Sequence, residues 1–246
     1  MNPSYLCQIF AHRGANREAT ENTRAAFDKA LNYSIDGMET DVQLSRDEVP
    51  VLWHDRYTDK LGYAQQHIDD FDYAELERIN FAYNDTQPEN VLSLKEFLNS
   101  YRHRCRLQIE IKNRDWELSR RHEIKVKQCL DLIGDPRDEA VFVSSFNLDS
   151  LIFAHHYAPN FPLYYALDDY HTELDVEHAL SNHDFLAGLC LSIEMLNESI
   201  VDLLAKQSKK LITYTCNTDA EITKALALGV NVLITDDPQK ALLMRG

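Results

Sequence analysis

Short apolar runs recur along the whole chain, and most are followed by a stretch whose apolar residues fall at helical spacing. The runs that read as strands cover 8–12, 38–44, 107–112, 140–145, 162–167, 185–192, 210–215 and 230–235. Between them, helices are predicted over 24–34, 94–101, 123–133, 148–156, 197–207 and 219–228. The first rests on Ala26, Phe27, Ala30 and Leu31, one stripe of a helix behind Asn22 or Thr23 as cap. Alternating strands and helices predict a parallel sheet, and eight such units predict a closed (β/α)8 TIM barrel. In that fold the chemistry belongs at the carboxyl ends of the strands.

Polar residues inside these runs are therefore the ones to explain. In "GMETDVQL" the alternation of a strand sets Glu39 and Asp41 on one side, with Met38, Thr40 and Val42 on the other. The apolar set faces the helices, so the two carboxylates converge inside the barrel. That is costly unless a proton or cation separates them. Alone, a Glu-x-Asp of this kind more often belongs to a structural ion pair. "LQIEIK" repeats the pattern, with Leu107, Ile109 and Ile111 on one face and Gln108, Glu110 and Lys112 on the other. Three carboxylate donors suit a hard divalent ion, Mg²⁺ or Ca²⁺ with Mn²⁺ also admissible, better than zinc. After "SRDE" the run "VPVLWHD" reads as the return strand of a hairpin. A two-residue loop, Asp47-Glu48, pairs Arg46 with Val49 and sets His54 opposite Asp41. Glu48 is a poor residue for that loop, where Gly or Asn tolerates positive φ better.

Length and composition bound the rest. The chain has 246 residues, 44% of them apolar, and no linker-like tract, so residues 1–246 read as one domain. No apolar stretch is long enough to span a bilayer, and the amino terminus lacks a signal-peptide pattern. Five cysteines without a C-x-x-C pair argue against a disulfide framework or thiolate zinc site and fit a reducing cytoplasm. The formal charge of -15 disfavours nucleic acid and stable association with anionic membranes. It also means that an anionic substrate needs a local island of positive charge. His155-His156, Asp168-Asp169, Glu194 and Asp236-Asp237 read as solvated or capping residues, and Phe146, Tyr214 and Asn217 as pocket candidates.

His12-Arg13-Gly14, Glu21-Asn22-Thr23, Glu39-x-Asp41, His54-Asp55 and Glu110-x-Lys112, in this order and spacing, resemble the glycerophosphodiester phosphodiesterase family. The resemblance extends to "TCNTDAEITKALALGVNVLITDDP" near the carboxyl end. It implies a (β/α)8 barrel with a small insertion after the His-Asp motif, at about 56–91. It implies hydrolysis of a small glycerophosphodiester to an alcohol and glycerol 3-phosphate. Glu39, Asp41 and Glu110 then correspond to metal ligands, His12 and His54 to the acid-base pair, and Arg13 and Lys112 to phosphate contacts. Three carboxylates and a divalent ion leave one negative charge, which Arg13 and Lys112 convert to one positive charge, as a phosphodiester monoanion requires. Tyr57, Tyr63, Phe81 and Tyr83 of the insertion are expected as walls for the alcohol. Tyr214 stands where the family frequently has Trp, which loosens inference about that alcohol. Phosphoinositide phospholipase C and sphingomyelinase D-like enzymes share related barrels but act on membrane lipids. A non-catalytic phosphodiester-binding protein is the alternative outside enzymes.

Overall fold

The computed structural model describes residues 6–85, 87–113, 117–135 and 140–246. Among them lie nine strands: β1 (Gln8–His12), β2 (Gly37–Leu44), β3 (Pro50–Leu52), β4 (Arg106–Ile111), β5 (Val141–Ser145), β6 (Leu163–Leu167), β7 (Gly188–Ser192), β8 (Lys210–Tyr214) and β9 (Val232–Thr235). All except β3 run parallel, and β1 pairs with both β2 and β9, which closes an eight-stranded barrel. The helices are α1 (Arg24–Ala30), α2 (Tyr73–Leu76), α3 (Leu94–Tyr101), α4 (Ser119–Ile133), α5 (Leu148–Tyr157), α6 (Glu173–Asn182), α7 (Glu198–Lys206), α8 (Asp219–Ala227) and α9 (Pro238–Arg245). No helix of the described residues is long and apolar enough to cross a membrane.

Strand alternation divides the apolar residues into two layers. Met38, Val42, Leu107, Ile109 and Ile111 point outward and pack with Phe27 of α1 and Phe97 of α3. Inside the barrel, Phe10, Phe142, Tyr164, Ile212 and Val232 form a separate cluster. Phe10 lies 5.9 Å from Phe142, and Phe142 lies 4.9 Å from Tyr164, ring centroid to centroid. Gly37 makes room for this plug, because a Cβ there would stand 2.4 Å from the Phe10 ring. The middle of the barrel is thereby filled, and polar residues lie at its two ends, Gln8 and Arg106 at the amino end and the carboxylates at the carboxyl end.

The hairpin departs from its expected register. Val42 pairs with Leu52 and Leu44 with Pro50, and the Ser45 N–H donates to the Val49 carbonyl. The loop is thus three residues, Arg46-Asp47-Glu48, and it is Trp53 whose N–H donates to the Asp41 carbonyl. Glu48 takes φ 65, the left-handed turn residue that such a loop needs. The insertion at 56–91 packs on this hairpin around its own core of Trp53, Ile68, Leu76 and Phe81. Its Thr86 lies outside the described residues.

Candidate active site

Register brings the three carboxylates together. Asp41 pairs with Glu110 across β2 and β4, and Glu39 pairs with His12 across β2 and β1. One ligand atom from each of Glu39, Asp41 and Glu110 lies within 4.8 Å of the others. Asp41 has no exposed surface, and Lys112 Nζ approaches it at 3.1 Å and Glu110 at 2.6 Å. Burial pushes the Asp41 carboxyl up, but Arg13 and Lys112, with His54 and His12 behind them, outweigh it and hold it well below the usual range. Glu39 differs. Burial, then the charges of Asp41 and Glu110, push its carboxyl well above the usual range, and its Oε2 accepts no hydrogen bond.

The turn after β1 explains the His-Arg-Gly tripeptide. Arg13 takes φ 57 and its N–H donates to the Glu39 carbonyl, so its side chain turns back over β2. Its Nε lies 2.9 Å from Asp41 and its Nη1 2.7 Å from Glu21. Gly14, at φ 84, lets α1 approach, because a Cβ would lie 2.6 Å from the Ala26 backbone. Asn22 completes the turn, donating to Asp41 at 3.1 Å and accepting from the Thr40 hydroxyl at 2.8 Å.

Each histidine is backed by a carboxylate. His12 Nδ1 lies 2.6 Å from Asp236, which also accepts from Asn16 and Asn217 at 2.6 Å each. His54 Nδ1 lies 2.8 Å from Asp55, and Lys60 Nζ reaches Asp55 and Glu21 at 2.9 Å each. An ionised carboxylate only accepts, so Nδ1 of each ring carries the proton and Nε2 is the basic nitrogen. Burial raises the Asp55 and Asp236 carboxyls, but the hydrogen bonds from their histidines lead the opposing effects that hold both below the ordinary range. Gln43 fixes the hairpin end, its Nε2 donating to the carbonyls of Trp53, His54 and Asp55 at 3.0, 3.2 and 2.9 Å.

A cavity of about 200 Å³ opens at this end of the barrel, lined by His12, Arg13, Glu39, His54, Glu110 and Lys112. Six of the seven sequence-predicted residues thus meet in one space, with Asp41 buried beneath. His54 reaches the cavity despite the shifted register, because it follows the strand end. The insertion's aromatic residues do not line it. Phe81 packs on Trp53 instead, and the Tyr83 hydroxyl donates to Glu21. Asp236 was read from sequence as a capping residue, yet it backs His12, while its neighbour Asp237 caps α9. Inward parity with Val232 and Ile234 is the signal that marks it.

A model of the glycerophosphoryl diester phosphodiesterase family matches residues 12–240. The chain belongs to that family. Members related to it include a glycerophosphodiester phosphodiesterase of Bacillus altitudinis, 29% identical over 249 residues and matched over 98% of each chain. Another, from Caldanaerobacter subterraneus subsp. tengcongensis, is 28% identical and matched over 94% of each. The structure of an Oleispira antarctica phosphodiesterase in complex with the product sn-glycerol-3-phosphate matches with TM-score 0.85 at 25% identity, covering 98% of this chain and 97% of that one. Family membership makes this chain an enzyme that cleaves glycerophosphodiesters.

Proposed function

We propose that the protein hydrolyses glycerophosphodiesters to an alcohol and glycerol 3-phosphate in a metal-dependent reaction. The observation that carries this reading is the meeting of two carboxylate-backed histidines, Arg13, Lys112, Glu39 and Glu110 in one cavity, with Asp41 buried directly beneath. The product bound by the Oleispira antarctica relative names the phosphate-bearing fragment.

The residues present fit a hard divalent ion. Glu39, Asp41 and Glu110 offer oxygen donors, and the buried Glu39 Oε2 accepts no hydrogen bond, with His12 Nε2 3.9 Å away, so it is free to serve as a ligand. Bound there, Mg²⁺, Ca²⁺ or Mn²⁺ supplies charge stabilisation to the phosphoryl oxygens. Arg13 and Lys112 hold the same oxygens and orient the diester. His12 and His54 divide the proton transfers between them. One Nε2 takes the proton from the attacking oxygen as it bonds to phosphorus. The other Nε2–H protonates the alcohol oxygen as its bond to phosphorus breaks. Asp236 and Asp55 orient each ring through Nδ1 and leave Nε2 for these transfers.

The test is release of glycerol 3-phosphate from a panel of glycerophosphodiesters after chelation and return of Mg²⁺, Ca²⁺ or Mn²⁺. Turnover restored by one of these ions is expected. Tight binding of diesters without turnover under any of them would make the protein a phosphodiester-binding protein instead.

A further inference from the structure

The amino end of the barrel holds another cavity, of about 330 Å³, that shares no residue with the catalytic one. Phe142, Tyr164, Ile212 and Val232 of the interior plug form its floor. A smaller cavity of about 230 Å³ adjoins it and shares Arg106, Phe142, Tyr164 and Lys210 with it. The plug thus separates this end from the carboxylates and histidines at the other.

The polar rim of this cavity consists of donors. Arg106 and Lys210 open β4 and β8 and share the inward parity of Glu110 and Tyr214 further along the same strands. In the order of the barrel, β5, β6 and β7 lie between those two strands on one side, and β9, β1 and β2 on the other. The two cations therefore face each other across the mouth. Arg106 lies over the Phe142 ring, 5.5 Å from its centroid, and its Nη1 donates to Gln8 Oε1 at 2.7 Å. The Leu211 N–H donates to Asn231 Oδ1, also at 2.7 Å. Both amide oxygens are engaged, so Gln8 and Asn231 are left with their NH2 groups to offer. Lys210 is exposed, and among the described residues its ammonium has no carboxylate partner. Gly188, its register partner on β7, carries no side chain to cover it. Among the described residues lining either cavity there is no Asp or Glu. Acidic residues outnumber Lys and Arg by 40 to 25 in the chain, so this mouth is unlike the average surface.

We propose that the amino end of the barrel binds a small organic anion, a carboxylate or phosphate group carried on an apolar or aromatic body. An ionised group of this kind only accepts hydrogen bonds, which matches a rim of two cations and two amide NH2 groups. Two cations above an apolar floor also focus the local field, and this concentrates anions there against the repulsion of the whole chain. The body of the ligand then rests on Phe142, Tyr164 and Ile212, away from water. The volume is that of a small-molecule pocket and admits a one-ring acid. None of these residues belongs to the catalytic machinery, so the site stands apart from the phosphodiesterase reading.

Calorimetric titration of phenylacetate, phenylphosphonate and neutral 2-phenylethanol into the full chain tests the proposal, with saturating glycerol 3-phosphate present to occupy the carboxyl end. At least one of the anions should bind, and the alcohol should bind roughly tenfold more weakly than that anion or worse, because it forms no charge-assisted hydrogen bonds. The tighter anion identifies the head group as carboxylate or phosphate. Lys210→Met should weaken anion binding by roughly fivefold, the worth of an exposed charge pair, and Lys210→Glu by more. Lys210→Arg should keep the wild-type affinity. Lys210 is exposed, so these variants fold whatever the outcome. Failure of both anions to bind, an equal affinity for 2-phenylethanol, or anion binding unchanged in Lys210→Met and Lys210→Glu would overturn the site. The phosphodiesterase reading is judged by turnover alone and is untouched by each of these results.

Discussion

Replacing Lys60 with Met should slow every substrate alike. Lys60 comes from the insertion, yet its ammonium stands between Glu21, which holds Arg13, and Asp55, which holds His54. Burial works against the charge, but the hydrogen bonds Lys60 donates to Asp55 and Glu21 outweigh it and keep it protonated above lysine's usual range. It is therefore a fixed cation at any working pH. Both contacts are 2.9 Å, but the side chain is 42% exposed, so solvent screening limits each pair to about 0.5–1 kcal/mol. The total, about 1–2 kcal/mol, predicts a melting temperature lower by roughly 2–8 °C for a chain of this size. The kinetic effect should be larger than the stability loss implies. Without Lys60, the Asp55 carboxylate loses the group that fixes its second oxygen, and removal of comparable supporting residues costs about 10–100-fold. Steady-state kinetics on choline, ethanolamine and glycerol diesters should show kcat reduced by that factor with KM little changed, and Lys60→Arg should recover part of it. A Lys60→Met enzyme that stays folded with wild-type kcat, or that slows only one head group, would refute the reasoning. The second result would return the insertion to the role of an alcohol wall.

Asp236→Asn leaves His12 Nδ1 without its carboxylate, so kcat should fall by at least tenfold with no comparable loss of folding, while His12→Ala should lose about 10²–10⁴-fold in the same assay. Chelation should abolish turnover and leave circular dichroism unchanged, because the apolar strand faces and not the carboxylates hold the barrel. Glu39→Gln should weaken metal binding in a calorimetric titration yet raise the melting temperature of the metal-free protein, since it removes a carboxyl whose ionisation burial, Asp41 and Glu110 disfavour in the folded state. Asp55 and Asp236, held below their ordinary range, contribute stability that is present above the unfolded carboxylate value of about 4 and lost as pH falls from there through the lower folded values. Thermal melts from pH 6 downward should therefore decline less steeply in Asp236→Asn than in wild type.

The barrel and the main site were legible because both follow from the alternation of side chains along a strand, a property local to a few residues. Glu39, Asp41, Glu110 and Lys112 declare themselves by being polar where their own strand leaves only the interior. What escaped depends on pairing between distant segments. The hairpin register turned on the length of the loop, because the Arg46 N–H donates to the Phe71 carbonyl of the insertion instead of pairing with Val49. Asp236 backs His12 across 224 residues, and only the closure of β9 against β1 makes them neighbours. The insertion's aromatic residues look like pocket walls in sequence, but Trp53 on the hairpin takes up Phe81, and Glu21 takes up Tyr83.

The two carboxylate-bearing strands, β2 and β4, sit side by side next to β1, and in the order of the barrel β5 to β8 complete the opposite wall. The carboxylates and histidines thus occupy one arc of the ring, and Phe146, Asp168 and Tyr214 another. On the proposed function, substitutions at Phe146, Asp168 and Tyr214 change the wall of the cavity while the histidines and carboxylates of the other arc stay in place. A randomised library confined to those three positions would sample new diesters from a background that still hydrolyses them, whereas the same diversity placed on β2 or β4 would extinguish turnover before selection could act.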